Sequence, residues 1–435
     1  MMTMVHSTNY KISFLSVVCA GIAVFTASKP ALAGELTITE QLTCGTLGDS
    51  ERQQWENDAA LGKTAALNNL GFMYALGCAV KPDAQRAKGY FEQAADKGDA
   101  QAEHNLGYLY DKGGIGVAQN SALAFAWYTK AAAKGFAQSE LSLAKMYQIG
   151  QGAPKDPVRA AELLRQAADQ GFAPAQFQLG AAYEGGEGVG RDYAQAMMWY
   201  QKAAAQNDPT ALAAIGYLYE YARGVPQDYT AAIGWYRAAA ALGSPIGENN
   251  LGGLYDTGRG VALDPAQAAI WYAKASAQGL SAASANLGAL YAAGKGVPQD
   301  YQRAIELFSI AAQHGNAKGE YNLGAAYLTG KGVEKDYSVA RRWLEQSADQ
   351  NNPRAQYDLA AIYMNGIGVE KDIEKSVALF EESAKNGDSD AQCVLGSIFE
   401  FGIGVAKDRL TAVMYYKQAA AAGNMKAKEA LKRLF

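Results

Sequence analysis

From residue 66 onward the apolar positions fall in two alternating helical registers. Ala283, Leu287, Leu290 and Tyr291 lie at i, i+4, i+7 and i+8, one face of a 3.6-residue period. A Gly-Lys-Gly-Val turn follows, and then Ala304, Leu307, Phe308, Ala311 and Ala312 mark a second such face. The pattern predicts two antiparallel helices. Gly294 stops the first in the left-handed conformation, Val297 anchors the turn, and the Asp300 side chain caps the second helix, which ends near Gly315. One such pair has too little apolar face to fold alone, so neighbouring pairs must stack.

The pair recurs ten times. A small residue opens each copy: Ala66, Ala102, Ser139, Ala175, Ala211, Gly247, Ala283, Gly319, Ala355 and Ala391. The spacing is 36 residues except in the second copy, where Gly113-Gly114-Ile115-Gly116 carries one more. An insertion tolerated there marks a loop. Periods of this length signify stacked supersecondary units. The spelling from Ala175 to Asn207, small-x3-Leu-Gly-x2-Tyr-x2-Gly-x-Gly-Val-x2-Asp-x3-Ala-x2-Trp-x3-Ala-Ala, resembles the Sel1-like repeat family, a relative of tetratricopeptide repeats. The resemblance covers residues 66 to 435. It implies an all-α fold: a right-handed α-solenoid of about ten helix-pair repeats with terminal capping helices. It also implies an adaptor, scaffold or regulatory role, which in bacteria includes envelope regulation, polysaccharide secretion and contact with host cells.

A glycine inside the first helix, as at Gly180, Gly216, Gly288 and Gly396, costs about 1 kcal/mol against alanine. Close approach of a neighbouring helix backbone is the expected reason. Asp99, Asp208, Ser244, Asn316, Asn352, Asp388 and Asn424 are expected to cap the following first helices, with Pro209, Pro245 and Pro353 at the tolerated next position. Trp127, Trp199, Trp235, Trp271 and Trp343 on second helices are expected to pack in the core or between copies.

The ends differ from this pattern. Residues 1–33 read as a secretory signal peptide: Lys11, an apolar run from Ile12 to Thr26, and an Ala31-Leu32-Ala33 cleavage site. Residues 34–65 form a lead-in and an amino-terminal capping helix opened by Ser50, residues 66–426 the ten copies, and residues 427–435 a capping helix. No other stretch is apolar enough to span a bilayer, so no membrane insertion is expected after cleavage. Cleavage removes Lys11 and Lys29 and no acid, leaving 37 basic against 43 acidic residues, a net charge of −6. An acidic, exported chain without basic runs is a poor nucleic-acid binder. The compartment is periplasmic or beyond. An exported chain can keep a disulfide, and Cys44 with Cys78 is the candidate pair, against two free thiols. Cys393 reads as a small buried or half-buried residue.

A search for chemistry returns little. His104 and His314 lie almost six copies apart, and neither a His-Glu-x-x-His nor a Cys-x-x-Cys pattern occurs. No metal, cofactor or catalytic residue is assigned. The Gly-x-Gly-Val turns lack the Gly-Lys-Ser/Thr ending of a phosphate loop. Ser142-Leu143-Ala144-Lys145 matches the Ser-x-x-Lys spacing without the companion motifs, and it carries the alternative of a β-lactam- or cell-wall-directed hydrolase. A second alternative is a secreted effector docking onto a host protein.

Binding residues are expected where copies differ. Counting the small residue as position 1, positions 3, 7 and 10 form one stripe of the first helix. By resemblance to tetratricopeptide repeats this stripe lines a concave surface. Tyr108, Asp111, Phe177, Glu184, Tyr217, Glu220 and Asp256 would make an aromatic and acidic groove in copies two to six. Tyr321 and Tyr357 would flank a shallower channel beside Ala289, Ala325 and Ala361. This composition suits another protein or an extended peptide with lysine or arginine. Position 4 is an amide in six copies: Asn69, Asn105, Gln178, Asn250, Asn286 and Asn322. These either hold a peptide backbone or bond between helices.

Overall fold

The computed structural model describes residues 48–113 and 116–434, and among them it contains 22 helices and no strand. These residues divide into two compact units, 48–242 and 243–434. The first opens with α1 (Asp49–Ala60) and continues with five antiparallel pairs: α2 (Thr64–Leu76) and α3 (Ala84–Ala95), α4 (Ala100–Lys112) and α5 (Ser121–Ala133), α6 (Ala137–Ile149) and α7 (Pro157–Asp169), α8 (Ala173–Gly185) and α9 (Tyr193–Ala204), α10 (Pro209–Glu220) and α11 (Tyr229–Ala241). The second holds α12 (Pro245–Thr257) and α13 (Pro265–Ala277), α14 (Ser281–Ala293) and α15 (Tyr301–Gln313), α16 (Ala317–Thr329) and α17 (Tyr337–Asp349), α18 (Pro353–Asn365) and α19 (Ile373–Lys385), α20 (Ser389–Phe401) and α21 (Arg409–Ala421), and a last helix, α22 (Met425–Leu434). Within each unit every helix packs on its neighbours in sequence.

The local signals work as expected. The aspartate or asparagine before every second helix, from Asp83 to Asp408, accepts a backbone N–H of the first turn. All seven expected first-helix caps do the same. Each such cap is worth about 1 kcal/mol. Gly294 ends α14 at φ +64°, in the left-handed region. Ser50 is not a cap: it lies inside α1, whose first turn is closed by Glu51 accepting the Gly48 N–H at 3.0 Å.

The opening small residues form the spine of the core. Ala102, Ser139, Ala175, Ala211, Ala283, Ala355 and Ala391 have no exposed surface. The reason for the mid-helix glycine differs from the expectation. A Cβ on Gly180 would stand 2.6 Å from the Tyr200 ring, and only then 3.2 Å from the Ala196 carbonyl. Gly216 meets Tyr236, Gly252 meets Tyr272, Gly288 meets Phe308 and Gly396 meets Tyr416 in the same way. The glycine is a seat for the face of a ring twenty residues later. Backbone approach is the lesser part.

The tryptophans also sit differently. Trp199 is buried, but Trp127, Trp235, Trp271 and Trp343 are half-buried. The next residue in each case, Tyr128, Tyr200, Tyr236, Tyr272 or Leu344, fills the core. A lysine one helical turn on stacks over the indole: Lys130 at 3.9 Å from Trp127, Lys202 at 3.8 Å from Trp199, Lys274 at 4.2 Å from Trp271.

Two further devices join the helices. At position 2 a buried acid or amide reaches the end of its own copy's second helix: Gln170 donates to Glu140 at 2.8 Å, Gln278 to Glu248 at 2.7 Å and Gln350 to Glu320 at 2.8 Å. Burial raises the pKa of all three carboxyls. The second glycine of each turn sits against the preceding copy. Gly188, at φ +72°, leaves no room for a Cβ, which would fall 1.8 Å from the Pro157 carbonyl oxygen at the start of α7.

At the amino end Cys78 is disulfide-bonded and buried, while Cys44, its expected partner, lies outside the described residues. The signal-peptide stretch and the lead-in up to residue 47 lie outside them as well. At the carboxyl end α22 begins at Met425, two residues before the expected 427, and seats Ala427 on Cys393, Tyr416 and Ala419.

Candidate functional site

The expected groove of the first unit is mostly interior. Tyr108, Phe177, Tyr217, Glu184 and Glu220 are each no more than 7% exposed. Phe177 stacks on Tyr200 with ring centroids 5.6 Å apart. The Tyr200 hydroxyl donates to Glu184 at 2.8 Å, and Tyr236 donates to Glu220 at 2.8 Å. The same pair recurs as Tyr416 and Glu400 at 2.8 Å. Glu184 and Glu220 therefore complete the helix pair and present no face to a partner, whereas Glu400 is half-buried and also meets Arg433 at 2.6 Å. Burial raises the Glu184 pKa, and the Tyr200 hydrogen bond pulls it part of the way back. Asp111 stays half-buried, bonded to Gln151 and Lys112.

The sequence holds a signal for this pairing that variation between copies concealed. Position 10 is acidic where the residue sixteen later is tyrosine: Glu184 with Tyr200, Glu220 with Tyr236, Asp256 with Tyr272, Glu400 with Tyr416. It carries no acid where that residue lacks a hydroxyl: Ala75 with Phe91, Gln148 with Leu164, Ala292 with Phe308, Leu328 with Leu344, Met364 with Phe380. The residue sampled as surface was varying in step with a core partner.

In the second unit the same helix face is open. Asn249, Asn250, Asp256, Asn286, Tyr321, Asn322, Tyr357 and Asp358 are all half-buried. Asn69 and Asn105, at the same register in the first unit, are buried. The open row is linked from copy to copy. Asn249 Nδ2 donates to Asn250 Oδ1 at 3.3 Å, Asn286 Nδ2 to Asn249 Oδ1 at 2.9 Å, and Lys318 Nζ to Asn286 Oδ1 at 2.7 Å. The amides thus bond between helices and remain accessible at the same time. Beyond them lie Tyr321 and Asp358. Burial pushes the Asp358 carboxyl up to about 6, against the opposing pull of Arg354 and of a Tyr321 hydrogen bond. Arg354 pairs with Asp388 at 3.3 Å and Asp390 at 3.1 Å, and Asn424 donates to Asp390 at 2.9 Å. Tyr357 packs edge-on against Phe380, with centroids 5.4 Å apart.

This face offers hydrogen-bonding groups, tyrosine edges and charge, the means of holding a chain. The histidines are engaged elsewhere. His104 is buried with Nδ1 2.9 Å from Ser139 Oγ, and His314 Nδ1 lies 2.8 Å from the Ile310 carbonyl. No cluster of metal-ligating residues occurs among the described residues. Ser142 is half-buried on α6 and Lys145 is exposed. No helix among the described residues is long and apolar enough to cross a membrane.

A family model described as the Sel1 repeat matches the chain ten times, at residues 64–99, 100–136, 137–172, 173–208, 209–244, 245–280, 281–316, 317–352, 353–388 and 389–424. Among solved structures the chain is similar to c5321, described as a protective antigen of uropathogenic Escherichia coli with an SLR fold: 35% identity over 85% of this chain and 79% of that one, TM-score 0.57. It is also similar to a Sel1 repeat protein of Oxalobacter formigenes, at 29% identity over 76% of this chain and 93% of that one, TM-score 0.49. A stretch of 100 residues is 46% identical to cytochrome c oxidase assembly factor 7 of Danio rerio; it makes up 22% of this chain and 44% of that protein, so the chain spans under half of that relative's length.

Proposed function

The chain belongs to the Sel1 repeat family, and on that premise we propose that it is an exported, non-catalytic adaptor or scaffold of the bacterial cell envelope. It holds an extended segment of another protein along the open first-helix face of copies six to ten. The observation that carries this reading is the row of half-exposed amide, tyrosine and charged side chains on successive first helices, from Asn249 to Asp390. Where the first unit closes this face with core tyrosines, the second leaves it accessible. Of the expected groove, Asp256, Tyr321 and Tyr357 belong to it.

Placing a photo-crosslinking phenylalanine at Tyr321 tests the reading in cells. A discrete adduct is expected, identified by mass spectrometry. The purified partner should then bind Tyr321→Ala plus Asp358→Ala at least about tenfold more weakly than the wild type, as loss of an anchoring aromatic and a charged group requires. Absence of any adduct, or equal affinity of the double variant, rejects it.

Export rests on Lys11, the apolar run to Thr26 and the small residues before Gly34. Mass spectrometry of the protein from fractionated cells is expected to find an amino terminus at Gly34 in the periplasm. Recovery from culture supernatant instead would favour the reading of a secreted effector, to which the likeness to a protective antigen lends weight. Retention of an intact amino terminus in the cytoplasm rejects both.

A further inference from the structure

The hydrogen bonds of the open row run in one direction. Asn249 donates to Asn250, Asn286 to Asn249, and Lys318 to Asn286. Each of these three amide oxygens thus already accepts one hydrogen bond from a protein donor. Donors are left over in the row: the remaining N–H groups of Lys318 and the Asn250 amide. Asn322 stands one turn after Lys318 on the same face of α16, and its Nδ2 is shielded from water with no acceptor among the described residues. An unmet, water-shielded donor is costly until something accepts from it. The charge is one-sided too. Arg354, at the same position one copy on, is matched by Asp388 and Asp390. No carboxylate lies within 4.0 Å of Lys318 among the described residues. The Lys318 side chain is exposed, so its ammonium is open to an incoming group.

We propose that Lys318, Asn322 and the Asn250–Asn286 row form a carboxylate-binding strip, which takes an aspartate or glutamate side chain of an extended peptide. A neutral carbonyl would answer the amides but leave the ammonium without a counter-charge, whereas a carboxylate answers both. The row continues past Lys318 to Tyr321 and Tyr357, so an occupant runs on through it and the carboxylate is a side chain. The proposal rests on the reading that this face holds a peptide, and it adds a requirement for acid opposite α16. It departs from the expectation that the partner brings lysine or arginine.

Fluorescence anisotropy on the full mature chain tests it with labelled, end-capped peptides of one tyrosine- and serine-rich frame carrying paired glutamates, glutamines or lysines. The glutamate peptide is expected to bind about tenfold more tightly than the glutamine peptide, the scale of a hydrogen bond to a charged group. Lys318→Ala should abolish that difference, Lys318→Arg should keep most of it, and Asn322→Ala should weaken the glutamate peptide with unchanged circular dichroism. Equal binding of glutamate and glutamine peptides, a preference for the lysine peptide, or indifference to Lys318→Ala overturns the proposal while leaving the peptide-binding face in place. A glutamine peptide with a free carboxyl end that matches the glutamate peptide overturns the side-chain source. Failure of every peptide to bind overturns the strip and the face together.

Discussion

Replacing Tyr200 by alanine is expected to cost the amino-terminal unit about 3–5 kcal/mol, the range for truncating a fully buried aromatic. Tyr200 has no exposed surface, its ring lies on Gly180 and its hydroxyl serves Glu184. Tyr200→Phe keeps the ring on its seat and deletes only the donor. It should cost about 1–3 kcal/mol, because Glu184 is left buried without that hydrogen bond. Acidity separates the two effects. Burial raises the folded pKa of Glu184, so its ionised form opposes folding above that value. The opposition is relieved as pH falls through it. Without the hydroxyl the pKa rises further, so Tyr200→Phe should close on the wild type in mildly acidic buffer, whereas the cavity left by Tyr200→Ala persists. Urea titrations at neutral and acid pH, read beside amide exchange in α8 and α9, check this. A constant gap between Tyr200→Phe and wild type across that range would show that the hydrogen bond does not govern the site.

Gly188→Ala is the second large effect. The substitution forces an L-residue to hold φ +72° and drives a methyl group into the Pro157 carbonyl. Backbone strain of about 1–3 kcal/mol and overpacking of about 1–3 kcal/mol act together. Pro157 belongs to the third copy and Gly188 to the fourth, so the loss falls on the joint between them and not on either helix pair. In an array held by nearest-neighbour terms, weakening one joint divides the melting transition. Exchange protection should fall first in α7 and α8, with thermal unfolding turning from one step into two. A single sharp transition at the wild-type temperature would mean that the loop has room to move aside. Gly190→Ala is the matched control, since a Cβ there meets nothing within 4 Å.

The fold was legible because each of its local instructions is short-range. A cap, a left-handed stop and a small opening residue each act within a few positions, and ten copies average out the exceptions. The site was less legible for a physical reason. Variation between copies was taken as freedom to bind, but Glu184 and Glu220 vary because their partners sixteen residues later vary. A residue can differ from copy to copy and still be fixed by the core. Tyr108, Phe177 and Tyr217 were misplaced by the same logic, since a stripe on an isolated helix says nothing of what a neighbouring helix covers. Asp256, Tyr321 and Tyr357 kept accessible surface. The direction of the amide row was out of reach of sequence, because which oxygen accepts from which nitrogen is set only once the helices are side by side.

Cysteine chemistry gives the two ends of the chain different sensitivities. Cys78 closes a covalent tie in the loop after α2, whereas Cys393 is a free thiol screened by α22. A reductant would slacken the amino-terminal end first and leave the open, donor-lined helices of the other unit untouched. If the second unit holds a partner as proposed, binding and cohesion would then answer to separate environmental cues.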